Sequence, residues 1–229
     1  MIDDDFGQEE RKTRRSILQL IGAAGLTAAA LSFGLTQEAA ARGVAMTGGA
    51  VDLGSGDTGI LNYAYALEQL EAAFYTQVTK TPYAGMSQGE LGLLAQIRDH
   101  EIVHRDTLKN QLGSAGIPAL EVNFGAINFG SRKSVLTTAR TFEDLGVAAY
   151  NGAGQLLHSA KLLVVAGSIV SVEARHAATI RDLISPKTSA FAGDDVVDGN
   201  GLDRAFSPGQ VLPKAAPFIA TPVTASHLV

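Results

Sequence analysis

Two short stretches of the chain share one pattern: Glu101-Ile102-Val103-His104 and Glu173-Ala174-Arg175-His176. In each stretch a glutamate stands three residues before a histidine. Residues at i and i+3 lie on the same face of an α-helix, so each stretch presents one carboxylate and one imidazole to the same point. The two patterns together predict two helices that face each other across a common metal site.

A second pair of related stretches lies roughly thirty residues upstream of these motifs. Leu67 to Tyr75 aligns with Phe142 to Tyr150, and in both an apolar residue, a glutamate and a tyrosine seven positions later fall in register. One glutamate from each of two helices, with a Glu-x-x-His from each of the other two, is the inward-facing ligand set of a dinuclear site in a four-helix bundle. The predicted metal ligands are Glu68, Glu101, His104, Glu143, Glu173 and His176.

The charge of this ligand set indicates which ions it would take. Four carboxylates and two neutral imidazoles carry four negative charges, which two divalent cations would cancel, and buried carboxylates without such partners are costly. The chain has no cysteine, so thiolate metal sites, iron–sulfur clusters and disulfides are excluded. Carboxylate and imidazole ligands favour iron or manganese. The predicted cofactor is therefore a pair of Fe or Mn ions.

The composition favours closely packed helices. The chain has 229 residues, of which 46% are hydrophobic and only 6% aromatic, and it has no tryptophan. That balance suits an all-α protein better than a β-sandwich. The formal net charge of −5 gives no electrostatic footprint for nucleic acid.

The N-terminal residues have the pattern of an export signal. Thr13-Arg14-Arg15-Ser16-Ile17-Leu18 contains a twin arginine, an apolar run extends to Leu35, and Ala39-Ala40-Ala41 offers a cleavage site. Residues 1–41 are predicted to be a Tat-type signal peptide, which implies a periplasmic or secreted protein. A transmembrane anchor is the alternative. The Gly, Ala and Thr content of the run and the cleavage site favour cleavage, with no stable membrane anchor afterwards.

The rest of the chain predicts a bundle with flanking segments. Residues 42–56 are predicted to be a flexible linker, and 57–185 to hold four helices. Ser87 and Glu90 form a capping-box signature at the start of the second helix. Residues 113–132 lack a helical period and are long enough to cross from one end of the bundle to the other. Residues 186–229 are predicted to be an irregular Pro/Gly-rich tail packed on the bundle, with a short helix near 202–206.

Three sequence phrases carry a resemblance to a known family: Ile60-Leu61-Asn62-Tyr63-Ala64, the stretch from Leu67 to Tyr75, and Ser171-Val172-Glu173-Ala174-Arg175-His176-Ala177-Ala178. With them, residues 57–185 resemble the ferritin-like superfamily. Within it, the chain is most similar to exported ferritin-like domain proteins, often labelled desiccation-associated. The resemblance implies a four-helix bundle with one long crossover between helices 2 and 3. Glu173-Ala174-Arg175-His176 also matches the E-x-R-H form common among di-iron carboxylate enzymes, whereas Val103 departs from it.

Several residues near the ligands are assigned lesser roles. Glu68 is preferred over Glu71 because Glu68 aligns with Glu143 and has the same spacing to its tyrosine. Glu71 remains an alternate ligand or a residue that supports the ligands. Tyr75 and Tyr150 are placed two turns from their glutamates, where they either hydrogen-bond the ligands or only fill the core. His100, next to Glu101, is expected to be exposed or hydrogen-bonded and not a ligand.

Two functions remain open at this point. One is redox chemistry at the metal pair, with small oxygen species or Fe(II) as substrate, in stress protection; the protein would then be a di-metal oxidoreductase. The other is a non-catalytic desiccation- or stress-associated structural or binding protein whose metal site is structural or vestigial. An iron-storage cage is disfavoured by the export signal and the long tail, while a smaller oligomer stays open.

Overall fold

The structure is a computed structural model that describes residues 49–228. The signal peptide predicted for residues 1–41 and the first part of the predicted linker lie outside this range. The described chain has five α-helices and one two-stranded sheet, so the predicted all-α bundle is confirmed. The elements are β1 (Val51–Asp52), α1 (Gly56–Lys80), α2 (Gln88–Leu112), α3 (Arg132–Gly154), α4 (Ala160–Ile184), α5 (Pro208–Ala215) and β2 (Val223–Thr224), with 3₁₀ turns at Gly113–Ala115, Ser189–Ala192 and Ala216–Phe218.

Helices α1 to α4 form the bundle. α1 packs along α2, α3 packs along α4, and α1 also contacts α3. α1 is buried on nearly all of its faces, in an almost unbroken run from Gly59 to Tyr75. α1 is therefore the most deeply buried helix of the bundle, although four of these residues, Asn62, Glu68, Gln69 and Glu71, are polar.

An ion pair fixes the relative direction of α2 and α3. Ser87 caps α2 as predicted, because its hydroxyl accepts the backbone N–H of Glu90 at 3.1 Å. The Glu90 side chain is not used for the second half of a capping box; its carboxylate pairs with Arg132 at 2.8 Å. Glu90 and Arg132 lie in the first turns of α2 and α3. The two helices thus start at the same end of the bundle, and the segment between them must span its length.

The crossover between α2 and α3, residues 113–131, lies alongside α1. Two buried side-chain amides of α1 hydrogen-bond the backbone of the crossover. Asn62 Nδ2 donates to the carbonyl of Ala115 at 3.1 Å, and Asn62 Oδ1 accepts the N–H of Ile117 at 2.9 Å. Gln69 Oε1 accepts the N–H of Leu120 at 2.8 Å. Asn62 and Gln69 are about two helical turns apart. The crossover therefore runs along the axis of α1, and the predicted long connection is confirmed.

The C-terminal segment packs into the same core as the bundle. Val211, Ala215 and Leu228 are buried in the main hydrophobic cluster. The short helix predicted near 202–206 is wrong, because the chain there is extended and the N–H of Phe206 donates to the carbonyl of Ala148 at 2.8 Å. The helix begins instead at Pro208, since proline is well suited to the first position of a helix.

The last residues of the segment predicted to be a flexible linker, 42–56, are part of the fold. β1 pairs in parallel with β2, with Val51 opposite Val223. Leu53, next in sequence, is completely buried. The two strands come from opposite ends of the described chain, so their pairing is invisible to a local reading of the sequence.

Arg181 of α4 fastens the C-terminal segment to the bundle. Its guanidinium is 4% exposed and donates to both oxygens of Asp144 at 2.7 and 2.8 Å. It also donates to both oxygens of Asp195 at 2.8 and 3.0 Å.

A second contact between the C-terminal segment and the bundle depends on Gly152 of α3. The backbone of Phe206 comes so close to this glycine that a Cβ there would lie 1.9 Å from the carbonyl oxygen of Phe206.

Among the described helices, α4 is long and apolar enough to cross a membrane by length and composition. The same helix contributes Glu173, His176 and Arg181, all buried against the other helices. Those contacts are the ones expected of a bundle helix.

Candidate metal centre

The six residues predicted as ligands meet in the middle of the bundle. The i, i+3 spacing turns both members of each Glu-x-x-His pair inward, and α1 and α3 add one glutamate each. All four carboxylates are completely buried, and the two imidazoles are 9% and 4% exposed. The residues are Glu68 from α1, Glu101 and His104 from α2, Glu143 from α3, and Glu173 and His176 from α4.

Their donor atoms form two groups that share two residues. Glu68 and His104 belong to one group, Glu143 and His176 to the other, and Glu101 and Glu173 to both; within each group one donor atom per residue lies within 4.8 Å of all the others. Each histidine is closest to the glutamate of the opposite motif. His104 Nδ1 lies 2.8 Å from Glu173 Oε1, and His176 Nδ1 lies 2.7 Å from Glu101 Oε1.

The unpaired atoms of the cluster fit a pair of cations. Eight buried donor atoms have no hydrogen-bond partner among the described residues: both carboxylate oxygens of Glu101 and Glu173, Oε2 of Glu68 and Glu143, and Nδ1 of His104 and His176. The short His–Glu distances do not have hydrogen-bond directions. Buried polar atoms are almost always satisfied, so eight unsatisfied ones in a single cluster indicate a ligand. Two divalent cations, one per group, would satisfy all eight.

The electrostatics show the same shortage of positive charge. Burial raises the pKa of Glu68 to about 7, and burial together with the nearby charge of Glu101 raises that of Glu173 well above its usual range. Burial lowers the pKa of each histidine, but the surrounding carboxylates outweigh it and raise the pKa of His104 to about 12 and that of His176 to about 10. Without metal, protons must neutralise the cluster. Neither Nδ1 atom has a hydrogen-bond partner, which fits neutral imidazoles that direct Nδ1 at a cation.

The family model for the ferritin-like domain matches residues 56–186, which is more than half of the chain. The chain belongs to the ferritin-like family. The comparison with curated proteins gave no significant match. The superfamily predicted from the sequence is thus confirmed, and membership in the desiccation-associated subgroup stays a prediction. A ferritin-like domain with buried Glu and His groups is consistent with metal binding.

In this ferritin-like protein the two tyrosines hydrogen-bond the cluster crosswise. Tyr75 of α1 donates to Glu143 Oε1 of α3 at 2.5 Å, and Tyr150 of α3 donates to Glu68 Oε1 of α1 at 2.5 Å. Burial raises the pKa of both phenols well above the usual range, so both remain donors at neutral pH. In each glutamate one oxygen is committed to a tyrosine, and Oε2 is left to face the cluster.

His100 is connected to the cluster through His176. Its Nδ1 lies 2.8 Å from Nε2 of His176, and the two rings are stacked with centroids 5.1 Å apart. If Nδ1 of His176 binds a metal, its proton sits on Nε2 and is donated to His100. The sequence indicated a hydrogen-bonded role for His100 but not its partner. Val172 stands at the corresponding position of the other motif, so the two halves of the site differ here.

Glu71 lies beside the cluster but in neither donor group. Its side chain is buried, and its Oε1 is 3.2 Å from where a Cβ on Gly146 would stand. Burial, reinforced by the charge of Glu173, raises the pKa of Glu71 well above its usual range. The structure thus places Glu68 among the donors and Glu71 behind them, in the space left by the missing side chain of Gly146.

Proposed function

We propose that this ferritin-like protein holds two iron or manganese ions and uses them for redox chemistry on small oxygen species or on Fe(II), in stress protection outside the cytoplasm. One observation supports the metal pair above all others. Eight buried donor atoms lack partners, and they fall into two groups that share Glu101 and Glu173. None of the eight has a hydrogen-bond partner among the described residues.

The two donor groups support this division of roles. Glu101 and Glu173, which belong to both groups, would hold both ions, Glu68 and His104 would hold one of them, and Glu143 and His176 the other. When bound, two such ions supply one electron each by passing from the +2 to the +3 state, so that hydrogen peroxide, with two protons, can become two molecules of water. Carboxylate-rich ligand sets suit this chemistry because their negative charge stabilises the higher oxidation state.

The protein's own residues orient this ligand set and keep water from it. Tyr75 and Tyr150 hold one oxygen of Glu143 and Glu68, which limits how these carboxylates can rotate. With a metal on Nδ1 of His176, His100 would accept the Nε2–H of that ring and hold its orientation. All four carboxylates are buried, so only small molecules reach the ions.

The metal pair is tested by metal analysis of protein purified with its export route intact. We expect about two iron or manganese ions per chain. The double variant Glu101→Ala/Glu173→Ala should contain almost none, because both positions lose their shared carboxylates. Glu121→Ala, on the exposed crossover, serves as the control and should keep the full content. Equal metal in the double variant and the wild type would refute the site.

The export proposal rests on residues 1–41 and has its own test. Replacement of Arg14 and Arg15 by lysine keeps the charge but removes the twin arginine. The variant should stay in the cytoplasm with its signal uncleaved, whereas the wild type should begin after Ala41. A wild-type chain that remains full-length inside the cell would contradict export.

A non-catalytic role is the second candidate, and the position of the site supports it. The six residues come from all four bundle helices, so bound metal would stabilise the fold whether or not it turns over substrate. Thermal unfolding of metal-free and metal-loaded protein should be compared with their peroxide and oxygen consumption. A higher melting temperature with no consumption would select the structural role.

A further inference from the structure

A cleft lies on the side of the bundle where the C-terminal segment packs against α3. Its volume is about 270 Å³, near the lower end of the range of small-molecule sites, roughly 300–1,000 Å³. Its wall comes from α3, the last turn of α4, the segment that follows α4, and α5. None of its lining residues is a candidate metal ligand. The charged residues that line it are Arg140, Asp144, Arg181, Asp195, Arg204 and Lys214.

Both carboxylates of the cleft are already committed to Arg181. Each of the four oxygens of Asp144 and Asp195 accepts an N–H of this guanidinium, at distances of 2.7 to 3.0 Å. Arg181 and the two aspartates together carry one net negative charge. The two carboxylates therefore have little capacity left to neutralise the other cations of the cleft.

The other three cations of the cleft have no partner of their own. Within the part of the chain that the structure describes, the side chains of Arg140, Arg204 and Lys214 form no ion pair, and those of Asp144 and Asp195 pair with Arg181 alone. The three positive charges outweigh the one negative charge of the Arg181 group and leave the lining at +2. The whole chain has a formal net charge of −5. The cleft is thus a local concentration of positive charge on an acidic protein.

Packing and hydrogen bonds fix the backbone that carries these cations. Arg140 is a half-buried residue of α3. The N–H of Arg204 donates to the carbonyl of Val196 at 3.1 Å, and its carbonyl accepts Nδ2 of Asn151 at 3.1 Å. Lys214 is exposed, but it belongs to α5, whose next residue is completely buried. The cations therefore converge on the cleft from three elements that are held in place.

The rest of the lining is largely apolar. Leu145 and Ala148 of α3 are buried, and Val196 and Phe206 of the C-terminal segment are half-buried. Small-molecule sites typically combine an apolar surface with a few convergent polar groups. This lining suits a ligand with one strongly anionic end and one apolar end.

We propose that this cleft binds a phosphate monoester of a small apolar group, with the phosphate between Arg140, Arg204 and Lys214. A phosphate monoester carries a charge of about −1.5 to −2 at pH 7, which matches the +2 of the lining. Its three terminal oxygens offer one acceptor to each cation, and guanidinium groups pair with phosphate through two parallel hydrogen bonds. The apolar group would lie against Leu145 and Phe206. The proposal does not depend on the metal centre.

Calorimetric titration of the purified protein with phenyl phosphate at low ionic strength tests the cleft. We expect one molecule bound per chain. Arg140→Gln, Arg204→Gln and Lys214→Gln should each weaken binding about three- to tenfold, and the triple variant should show no measurable binding. Lys133→Gln removes one positive charge from an exposed position of α3 outside the cleft and should bind as the wild type does. A wild type that does not bind phenyl phosphate, or a triple variant that binds it equally well, would overturn the proposal.

Two further ligands test the chemical class. Inorganic phosphate should bind several-fold more weakly than phenyl phosphate, because it has no apolar part to cover Leu145 and Phe206. Succinate, a dicarboxylate, should also bind more weakly, because neither of its ends offers three oxygens to the three cations. Equal affinity for either ligand would overturn the assignment to a phosphate monoester.

A crystal structure of the wild type soaked in phenyl phosphate locates the ligand without any substitution. We expect the phosphate between Arg140, Arg204 and Lys214 and the ring against the apolar side of the cleft. Phenyl phosphate bound only at another place on the protein would overturn the proposal. Thermal melts of the glutamine variants show whether each is folded, and their melting temperatures should match that of the wild type because none of the three side chains loses a partner.

Discussion

The hydroxyl of Tyr75 donates to Oε1 of Glu143 at 2.5 Å, across the bundle from α1 to α3. Tyr150 and Glu68 repeat the contact in the opposite direction. Each half of the sequence repeat therefore supports a predicted ligand of the other half. Hydrogen bonds as well as the glutamates common to both donor groups connect the two halves at the candidate metal centre.

The first prediction concerns this bond. Tyr75→Phe leaves Glu143 Oε1 buried without a donor, which should lower the free energy of unfolding of the metal-free protein by about 1–3 kcal/mol. Metal affinity should fall about tenfold or more, because the carboxylate is no longer held in position. Urea unfolding and a competitive metal titration would measure these effects. Tyr63→Phe is the matched control, since the hydroxyl of Tyr63 is buried without a partner and its removal should cost little. Equal effects of the two variants would contradict the assigned role of Tyr75.

The second prediction concerns His100. His100→Ala should weaken metal binding about tenfold or more, because His176 loses the acceptor that fixes its tautomer and orientation. His100→Gln offers an acceptor oxygen and should restore part of the affinity. Gln96→Ala, on an exposed residue that approaches only the outer nitrogen of His100 at 3.5 Å, is the control. The affinity is read from the same competitive titration; no change in His100→Ala would leave this histidine without a role at the site.

The third prediction concerns the space between Gly146 and Glu71. The added methyl of Gly146→Ala would stand 3.2 Å from Glu71 Oε1 and 3.6 Å from Glu173 Oε2. The Glu71 carboxyl, which is buried and has little room, must move by a few tenths of an ångström. We expect this displacement to cost about 1–3 kcal/mol in the free energy of unfolding, of which the better helix propensity of alanine offsets about 1 kcal/mol. The cost should be smaller in a Glu71→Ala background, where the oxygen is absent. Denaturant unfolding of both single variants and the double variant gives the coupling, and strictly additive effects would show that the methyl does not meet Glu71.

The fourth prediction concerns pH. The raised pKa of Glu68, about 7 in the folded protein against an ordinary 4.5, stabilises the fold below pH 4.5, and this stabilisation is lost as the pH rises to about 7. His176 behaves alike between 6.5 and about 10. Burial would raise the pKa of Glu101, but His104 and His176 outweigh it and lower this pKa to about 2. The contribution of Glu101 to the free energy of unfolding is therefore constant between about pH 5 and about pH 8. Burial lowers the pKa of His100, so this one residue changes the stability with pH in the opposite direction.

The metal-free protein should therefore lose stability from about pH 5 to about pH 8, whereas the metal-loaded protein should not, because the cations replace the protons. The rise in melting temperature caused by metal should grow with pH, and metal binding should release protons. Thermal melts of both forms across this range, with a calorimetric titration in two buffers of different ionisation enthalpy, would measure this. Metal-free protein that becomes more stable over the same range would contradict the charge balance described for the site.

The fifth prediction concerns Arg181. Arg181→Met leaves Asp144 without its partner and frees Asp195, so the free energy of unfolding should fall by about 3 kcal/mol. The segment after Ile184 should also become accessible to proteases. Arg175→Met is the matched control, because Arg175 is exposed and bonds only to Ser171 one turn away. If both variants unfold at the same denaturant concentration as the wild type, Arg181 does not fasten the segment.

The sequence by itself determined the four long helices, the crossover and the inward-facing residues of the cluster. Each of these depends on spacing within one helix: Glu101 with His104, Glu173 with His176, and the apolar residues around them. Helical periodicity is a local property, so it can be counted along the chain. The alignment of Glu68 with Glu143, each seven residues before a tyrosine, favoured Glu68 over Glu71, and it is the carboxylate of Glu68 that lies in a donor group.

Only the tertiary structure decided which side chains meet between elements. Tyr75 and Glu143 are 68 residues apart, Tyr150 and Glu68 are 82 apart, and His100 and His176 are 76 apart. Nothing in the local pattern specifies such pairs, because they depend on how the helices are rotated and placed against one another. The same reason applies to the pairing of β1 with β2 and to the ion pair of Arg181 with Asp195, because each arises from the packing of segments that are distant in the chain.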